Sequence, residues 1–294
     1  MVKIAAVQVT ATDDIERTLR KASQLLEVAA HKGARIACFA ELFASPWFPA
    51  ERNDAHLALA EPLGGIVTSR MASLAAQYGV AVVCPFFERD AAGRYYNSAA
   101  LFDARGETAG VYRKVHLPSL RFWEEKHYFT PGDKGFPVFE VEGLRVGIQI
   151  CWDNFFPEGF RMLALAGAQA VFVPTAAAFA SQERWMAMAV SHAVANGFYV
   201  VRVNRVGKEA GLDFYGQSFC IRPDGELASE PMGLNEGVLL VDCEPALVDE
   251  ARRVWPFLRD RRPRQYAGLA GLAWPPACDA AEDEFAGGAV EEQE

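Results

Sequence analysis

Short apolar runs alternate with helix-like segments along much of this chain, and this alternation is the feature that most limits its fold. The run Lys3–Val9 is typical of a buried strand, and it is followed by apolar residues at helical spacing until Gly33. A second apolar run, Ile36–Ala40, comes next. A strand, a helix and a strand in this order normally give neighbouring parallel strands. The sequence therefore predicts an α/β fold.

The same patterns predict the remaining elements. Helices are expected from a cap at Asp13 onwards and over Ile66–Tyr78, Pro157–Ala166 and Glu183–Asn196, and strands over Val80–Phe87, Asn97–Phe102, Glu107–Tyr112, Leu144–Ile150, Val171–Val173, Tyr199–Val203, Gln217–Arg222, Glu226–Ser229 and Gly237–Val241. The segment Val115–Gly135 lacks a clear period and is expected to be a functional loop. One domain over residues 1–266 and an acidic, mobile extension over 267–294 are predicted.

Composition and charge narrow the classes of protein that this chain can belong to. Its 294 residues carry a net charge of −9, which disfavours nucleic acid as a partner. The start has no signal-peptide pattern, and the apolar runs are shorter than the ~20 residues of a membrane helix. Six cysteines without short spacings fit reduced thiols and give no pattern for a metal. We expect a cytoplasmic protein that acts on a small molecule and does not bind a membrane.

Three polar residues follow strand-like runs at the point where each run ends. Glu41 follows RIACFA, Lys114 follows GVYR, and Cys151 follows LRVGIQI. Because the carboxyl ends of parallel strands meet at one edge of a sheet, the three side chains could converge there. A cysteine, a carboxylate and an ammonium form a set that can cleave a carbon–nitrogen bond.

Each of the three residues also has a purely structural interpretation. Most buried cysteines are inert, a glutamate in apolar surroundings is often a partner in a buried ion pair, and a lysine at a strand end is usually exposed. The context of Cys151 favours catalysis, since WDNFFPE forms a polar and aromatic turn into a helix. The N-terminus of such a helix would favour an anionic sulfur.

Three motifs resemble those of the nitrilase superfamily of carbon–nitrogen hydrolases. They are FAELF around Glu41, YRKVHLP around Lys114 and GIQICWDNFFPE around Cys151, and the resemblance extends from Lys3 to about Val241. It implies a four-layer α-β-β-α sandwich in which these residues are the general base, the oxyanion stabiliser and the nucleophile. It also implies a second catalytic glutamate, Glu125, within EKHYFTPG.

The resemblance implies hydrolysis through a thioester on Cys151, with no metal and no organic cofactor. An enzyme of the cysteine–histidine type, with His116 or His127, is an alternative from the residues alone. Transfer of the acyl group to an amine would use the same residues as hydrolysis. A catalytically dead binding protein would require a broken triad, and none of the three residues is missing.

The residues around Cys151 indicate the class of substrate. Trp152 and Asp153 resemble the branches that hydrolyse N-carbamoyl amines and β-ureido acids, so a linear amide or an N-carbamoyl amine is expected. An aliphatic or omega-amidase and a nitrilase remain alternatives. Asn154, Phe155 and the apolar stretch from Pro174 to Phe179 depart from the usual pattern, which puts a diamine substrate in doubt.

Several residues are candidates for substrate binding. They are Trp47, Phe48, Trp123, Trp152, Asn154, Phe155, Thr175, Ala176, Ala177 and Phe179. A carboxylate on the substrate would need an arginine, for which Arg121 or Arg184 is available. The two helices over Pro157–Ala166 and Glu183–Asn196 carry more apolar residues than one sheet face covers, and the resemblance implies a homodimer or a larger homo-oligomer through them.

Overall fold

Thirteen strands and six helices are present in the computed structural model, which describes residues 1–178 and 181–271. The strands are β1 Val2–Gln8, β2 Ile36–Phe39, β3 Ala81–Arg89, β4 Tyr95–Phe102, β5 Thr108–Arg113, β6 Phe139–Val141, β7 Leu144–Ile148, β8 Ala170–Thr175, β9 Tyr199–Asn204, β10 Val206–Glu209, β11 Leu212–Tyr215, β12 Phe219–Ile221 and β13 Gly237–Cys243. The helices are α1 Ile15–His31, α2 Ile66–Tyr78, α3 Glu125–Tyr128, α4 Pro157–Leu165, α5 Gln182–Asn196 and α6 Pro245–Val254.

The strands form two large sheets and a separate hairpin. The first sheet has the order β13-β1-β2-β3-β4-β5, the second has the order β12-β9-β8-β7-β6, and β10 pairs with β11. Buried side chains of both sheets, such as Val7, Ile148 and Val201, belong to one apolar core. Helices α1 and α2 contact the first sheet, and α4 and α5 pack with Val171 and Val200 of the second. The predicted four-layer α-β-β-α sandwich is therefore confirmed.

Strand directions bring the ends of distant strands to one edge of the first sheet. β1, β2 and β3 are parallel, and two antiparallel steps from β3 through β4 to β5 make β5 run in the same direction as β2. In the second sheet, β7, β8 and β9 are parallel as well. Polar residues that follow β2, β5 and β7 are thus presented by the carboxyl ends of strands in both sheets.

Local sequence signals explain most helix ends, with one correction. The side chain of Asp14, and not that of Asp13, caps α1 by accepting hydrogen bonds from the backbone N–H groups of Glu16 and Arg17 at 2.9 and 3.2 Å. Two adjacent aspartates offer the same chemistry, so the sequence alone did not select between them. Helix α2 ends at Gly79, whose φ of 65° is readily adopted by glycine.

Some elements differ from the prediction. Glu226–Ser229 is not a strand, because this segment has only an isolated bridge between Leu227 and Ile221. The short strand β6, the hairpin of β10 and β11, and helix α6 were not predicted. The loop after Lys114 contains the one-turn helix α3. Within the described residues, no helix is both long and apolar enough to cross a membrane.

Residues 1–258 form one compact unit, and the chain from Arg259 onwards belongs to a second unit. In the described part of the second unit, two 3-10 turns span Pro263–Tyr266 and Leu269–Gly271. The predicted division into residues 1–266 and 267–294 stays a prediction, since residues 272–294 lie outside the described part of the chain.

Candidate active site

Four predicted catalytic residues lie together in the interior of the protein. Glu41 follows β2, Lys114 follows β5, Glu125 begins α3, and Cys151 follows β7, and all four are at least 97% buried. The Nζ atom of Lys114 lies 2.8 Å from Oε1 of Glu41 and 2.7 and 2.6 Å from the two carboxylate oxygens of Glu125. One buried ammonium therefore joins two buried carboxylates.

Asn97 links the same two carboxylates from the neighbouring strand β4. Its Nδ2 atom donates to Oε1 of Glu41 at 2.7 Å and lies 3.3 Å from Oε2 of Glu125. Its backbone carbonyl oxygen accepts a hydrogen bond from the backbone N–H of Lys114 at 2.8 Å. Asn97 fixes the orientation of both glutamates, and no sequence motif identified it.

The surroundings of the cluster shift the pKa values of Glu125 and Lys114. Burial raises the pKa of Glu125 to about 8, although the Lys114 ammonium opposes the rise, and the Glu41 carboxylate adds to it. Burial alone would lower the pKa of Lys114, but Glu125 and Glu41 raise it above its usual value. Lys114 is therefore charged near neutral pH, while Glu125 holds its proton over most of that range.

The thiol of Cys151 is protonated in the resting protein. Burial raises its pKa well above the usual value, Glu41 raises it further, Lys114 lowers it, and the backbone N–H of Ala176 lowers it as well. Desolvation is thus the largest influence on the pKa of Cys151 and outweighs Lys114 and the Ala176 backbone, while the expectation that the following turn favours an anionic sulfur stays a prediction. Oε2 of Glu41 is buried and has no hydrogen-bond partner within the described residues, so it is available to accept the thiol proton.

Asp153 holds the turn that presents Cys151. Cys151 has a φ of 46°, which is strained for a residue with a side chain. The buried Asp153 carboxylate accepts hydrogen bonds from the backbone N–H of Ile150 at 3.0 Å, the hydroxyl of Tyr112 at 2.7 Å and the backbone N–H of His116 at 2.9 Å. Tyr112 and His116 flank Lys114 by two residues on either side. Asp153 thus ties the turn of Cys151 to the strand end that carries Lys114.

Arg205 holds the loop that follows Glu41. Its guanidinium donates to the carbonyl oxygens of Glu41 and Leu42 at 3.0 and 2.8 Å and to that of Ser45 at 2.8 Å. Leu42, in this loop, has a φ of 48°. The charge of Arg205 is neutralised by Glu209, whose Oε2 atom lies 2.6 Å from Nη2 of the arginine. The backbone on both sides of the reacting groups is therefore strained and held by buried polar side chains.

The comparison with known proteins identifies the family of the chain. A model of the carbon–nitrogen hydrolase family matches residues 3–253. The chain belongs to this family. The N-carbamoylputrescine amidase of Solanum lycopersicum is 37% identical over 288 residues, which cover 92% of this chain and 96% of that protein.

Solved structures agree with the assignment. The carbon–nitrogen hydrolase of Helicobacter pylori G27 has a TM-score of 0.88 and 31% identity, over 92% of this chain and 98% of that one. A variant of the amidase from Nesterenkonia sp. AN1 has a TM-score of 0.79 and 29% identity, over 91% of this chain and 96% of that one. In that structure the acetamide moiety of fluoroacetamide is covalently added at the active site cysteine. Our protein is thus a carbon–nitrogen hydrolase with the nitrilase fold.

The two histidines of the alternative mechanism have other partners in this hydrolase. Nδ1 of His116 lies 2.7 Å from Oδ1 of Asp153, and its ring stacks on Phe156. Nε2 of His127 lies 3.0 Å from the exposed Asp54. Neither histidine is among the groups that shift the pKa of Cys151. The geometry favours Glu41 as the proton acceptor.

Some predicted substrate-binding residues adjoin the buried cluster. The backbone N–H of Ala176 acts on the Cys151 sulfur, and the indole N–H of Trp123 donates to the Ala176 carbonyl at 2.9 Å. The backbone N–H of Ala177 donates to Asn204 at 2.9 Å. Thr175, which ends β8, is buried and donates its hydroxyl proton to the Val173 carbonyl, so its side chain is engaged within its own strand.

Other predicted contacts lie within aromatic packing. Trp47 is buried, and its indole N–H donates to the Phe122 carbonyl at 2.8 Å. Phe48 stacks on Phe87 with ring centroids 5.0 Å apart. Trp47 and Phe48 also line a cavity of about 600 Å³. Aromatic residues in such clusters contribute mainly to packing unless a cavity exposes one of their faces.

The turn after the nucleophile carries three further predicted contacts. Trp152 and Phe155 are partly exposed and lie with ring centroids 5.2 Å apart. The backbone carbonyl oxygen of the buried Asn154 lies 2.8 Å from Nε2 of His192, and its Nδ2 atom has no partner within the described residues. Phe179 lies outside the described residues.

The cluster predicts how stability changes with pH. Because the pKa of Glu125 rises from 4.5 to about 8 on folding, the folded protein holds a proton between these values that the unfolded chain releases. This contribution to stability is complete below pH 4.5 and is lost as the pH rises to about 8. Between the two pKa values, the free energy of unfolding should fall by about 1.4 kcal/mol for each pH unit. We expect Glu125→Gln to remove this dependence.

The measurement is the free energy of urea unfolding at acidic and alkaline pH for the natural protein and for Glu125→Gln. Glu124→Gln is the matched control, because Glu124 is adjacent but partly exposed and pairs with Arg52 at 2.8 Å. Its slope with pH should equal that of the natural protein. An equal slope for Glu125→Gln would show that Glu125 titrates normally in the folded state.

Proposed function

We propose that this hydrolase cleaves linear amides or N-carbamoyl amines with Cys151 as nucleophile, Glu41 as general base and Lys114 as oxyanion stabiliser. The observation that carries the proposal is the buried cluster in which one ammonium contacts two carboxyl groups beside a protonated thiol. Water-excluded charges act strongly on a reacting carbonyl group, and their geometry is fixed before the substrate binds.

The first half of the reaction forms a thioester. As the sulfur attacks the carbonyl carbon, the thiol proton moves to Glu41, and the electron pair of the carbonyl double bond moves to oxygen. The Lys114 ammonium and the backbone N–H of Trp152 stabilise this oxyanion. The carbon–nitrogen bond then breaks, and the leaving nitrogen takes the proton from Glu41 and departs as ammonia or an amine.

The second half restores the enzyme. A water molecule attacks the thioester carbon through its oxygen and gives a proton to Glu41. The carbon–sulfur bond then breaks, and the Cys151 sulfur takes the proton back from Glu41. Glu125 is the second carboxyl group, and its raised pKa keeps it protonated while Glu41 transfers protons.

Two kinds of substrate are supported by the relatives. The tomato relative is an N-carbamoylputrescine amidase, and the Nesterenkonia relative is an amidase. Aliphatic amides are the second candidate class for this chain, because the latter protein forms a covalent product with an amide moiety. Acyl transfer to an amine differs only in the nucleophile that reaches the thioester. Product analysis with added amine separates transfer from hydrolysis.

Ammonia release from a panel of ureides and amides tests the proposed function. The purified protein should release ammonia from linear ureido compounds or amides and leave peptides intact, because the reacting groups lie in an enclosed site. Matched nitriles should be turned over more slowly than amides of the same chain length. Turnover of nitriles alone, or of peptides alone, would contradict the proposal.

We propose that two copies of the chain associate through α4 and α5. Met162 and Leu165 of α4 are 54% and 47% exposed, which leaves apolar surface for a partner copy. Sedimentation at micromolar concentration should give a dimer or a larger homo-oligomer. Met162→Glu should shift it toward the monomer, and an unchanged mass for this variant would exclude the α4 surface as the interface.

We also propose that the protein acts in the cytoplasm. The five cysteines of the described residues are all free and buried, and buried free thiols are typical of proteins from a reducing compartment. Fractionation of the producing cells should place the enzyme activity in the soluble cytoplasmic fraction, and activity confined to a secreted fraction would contradict this location.

A further inference from the structure

Arg202 is a buried cation with no carboxylate beside it in the part of the chain that the structure describes. It lies on β9 and is 2% exposed. Its Nη2 atom donates to the hydroxyl of Tyr215 at 2.8 Å, and its Nε atom has no hydrogen-bond partner among the described residues. A buried charge normally needs an opposite charge or a full set of hydrogen bonds.

Two other buried arginines show what this fold provides when the role is structural. Arg113 pairs with Glu88 and Asp133, and Arg205 pairs with Glu209. Their carboxylate partners come from the protein itself. Arg202 lacks such a partner among the described residues, so its environment is complete only when an anion is supplied from outside.

Aromatic rings surround the Arg202 guanidinium without neutralising it. Its central carbon lies 4.8 Å from the ring centroid of Trp185, 5.2 Å from that of Tyr215 and 5.6 Å from that of Phe219. Ring faces attract a cation weakly and hold its plane in place. The ring faces supply no acceptor to the hydrogen-bond donors on the edge of the guanidinium.

A cavity opens onto this arginine. It has a volume of about 240 Å³ and is lined by Arg202 and Tyr215, by the first turn of α5 through Gln182 and Glu183, and by Gln217. Glu183 is exposed, so water screens its charge, whereas Arg202 is desolvated. The desolvated Arg202 therefore attracts an anion in this cavity more strongly than the screened Glu183 attracts a cation. An ammonium group on the same ligand could lie beside Glu183.

Aromatic contacts connect Arg202 to the turn that follows Cys151. The ring centroid of Phe155, in that turn, lies 4.8 Å from that of Trp185, and the Trp185 ring lies 4.8 Å from the central carbon of Arg202. Burial lowers the pKa of Arg202, and Cys151 acts against that shift in its thiolate form. Burial also raises the pKa of Tyr215, and Cys151 adds to that rise. Cys151 is thus close enough to act electrostatically on both the arginine and its hydroxyl partner.

We propose that Arg202 binds the carboxylate of the substrate, so that this hydrolase prefers a linear ureido or amide acid over a ureido amine. The assignment rests on the proposed function and deepens it. A guanidinium presents two parallel N–H donors that match a carboxylate. Arg121 and Arg184, the two arginines that the sequence suggested for this role, are both exposed.

The test compares three substrates of equal chain length that carry the same ureido group. One ends in a carboxylate, one in the matching neutral amide and one in an ammonium. The natural protein should favour the acid in kcat/KM. For Arg202→Met the ratio of kcat/KM for the acid to that for the neutral amide should fall by roughly 10- to 100-fold, mainly through KM. Arg202→Lys should recover part of the loss because it restores the charge.

Arg184→Met is the matched control, and it should leave the ratio unchanged because Arg184 is exposed on the same helix as Glu183. Melting temperatures report whether each variant folds. If Arg202→Met does not fold, the comparison of substrates is made with Arg202→Lys. An equal loss for acid and neutral substrates, or a preference of the natural protein for the ammonium compound, would overturn the role of Arg202. Turnover of the neutral substrate in that case leaves the proposed function standing, whereas no turnover of any ureide or amide would overturn both.

Discussion

Replacing Cys151 with alanine or serine is expected to abolish ammonia release while the fold is retained. Without the sulfur no thioester forms, and removal of the nucleophile in comparable hydrolases costs on the order of 10⁶-fold in rate. Serine should not rescue the reaction, because a hydroxyl is a much weaker acid than a thiol and the buried site already disfavours the anion. Ammonia release and melting temperature, measured on the same preparations, check both parts of this expectation.

Cys220→Ala is the matched control for this experiment. Cys220 is fully buried, and burial alone raises the pKa of its thiol. It lies on β12, away from the ends of β2, β5 and β7. This variant should lose some stability and keep its activity per folded molecule. Full turnover by Cys151→Ala would contradict the proposed mechanism.

Replacing Lys114 with methionine is expected to remove activity and to destabilise the fold. Methionine keeps much of the side-chain volume but removes the cation from Glu41 and from Glu125, whose carboxylate is formed in the natural protein above about pH 8. Breaking a buried ion pair in this way costs about 3–5 kcal/mol. The cost should shrink at acidic pH, because Glu125 then holds a proton and carries no buried charge. Urea unfolding at acidic and slightly alkaline pH measures this difference.

Arg113→Met separates loss of stability from loss of catalysis. Arg113 is the residue before Lys114, and it also makes a buried ion pair with Glu88, as well as a pair with the exposed Asp133. We expect the Arg113→Met variant to be destabilised about as much as Lys114→Met and to keep most of its turnover per folded molecule. If Lys114→Met retained comparable turnover, Lys114 would have only a structural role.

Sequence reasoning singled out four residues that the structure brings together, because each stands at the end of a strand-like run or within a recognisable motif. Glu41, Lys114, Glu125 and Cys151 are brought together as the four-layer fold requires. The local signals were strong there, since strand ends and apolar flanks depend on neighbouring residues. The overall layering followed from the alternation of strands and helices and from the resemblance of the motifs.

The supporting residues could not be found in this way, because their partners are distant in the chain. Asn97 connects Glu41 with Glu125, Arg205 holds the loop after Glu41, and Asp153 joins the turn of the nucleophile to the strand end that carries Lys114. Each role depends on which strands lie side by side. The raised pKa of Cys151 has the same origin, since its main cause is burial, which the sequence does not specify.

The proposed mechanism requires that the carbon–nitrogen bond is cleaved through a covalent intermediate on Cys151 within this buried cluster. Acid quenching during turnover, followed by mass spectrometry of the peptides, detects such an intermediate. We expect a mass increase equal to the acyl group of the substrate on the peptide that contains Cys151, and no such increase in Cys151→Ala. Continued ammonia release with no adduct on Cys151, or with the adduct on another residue, would contradict this mechanism.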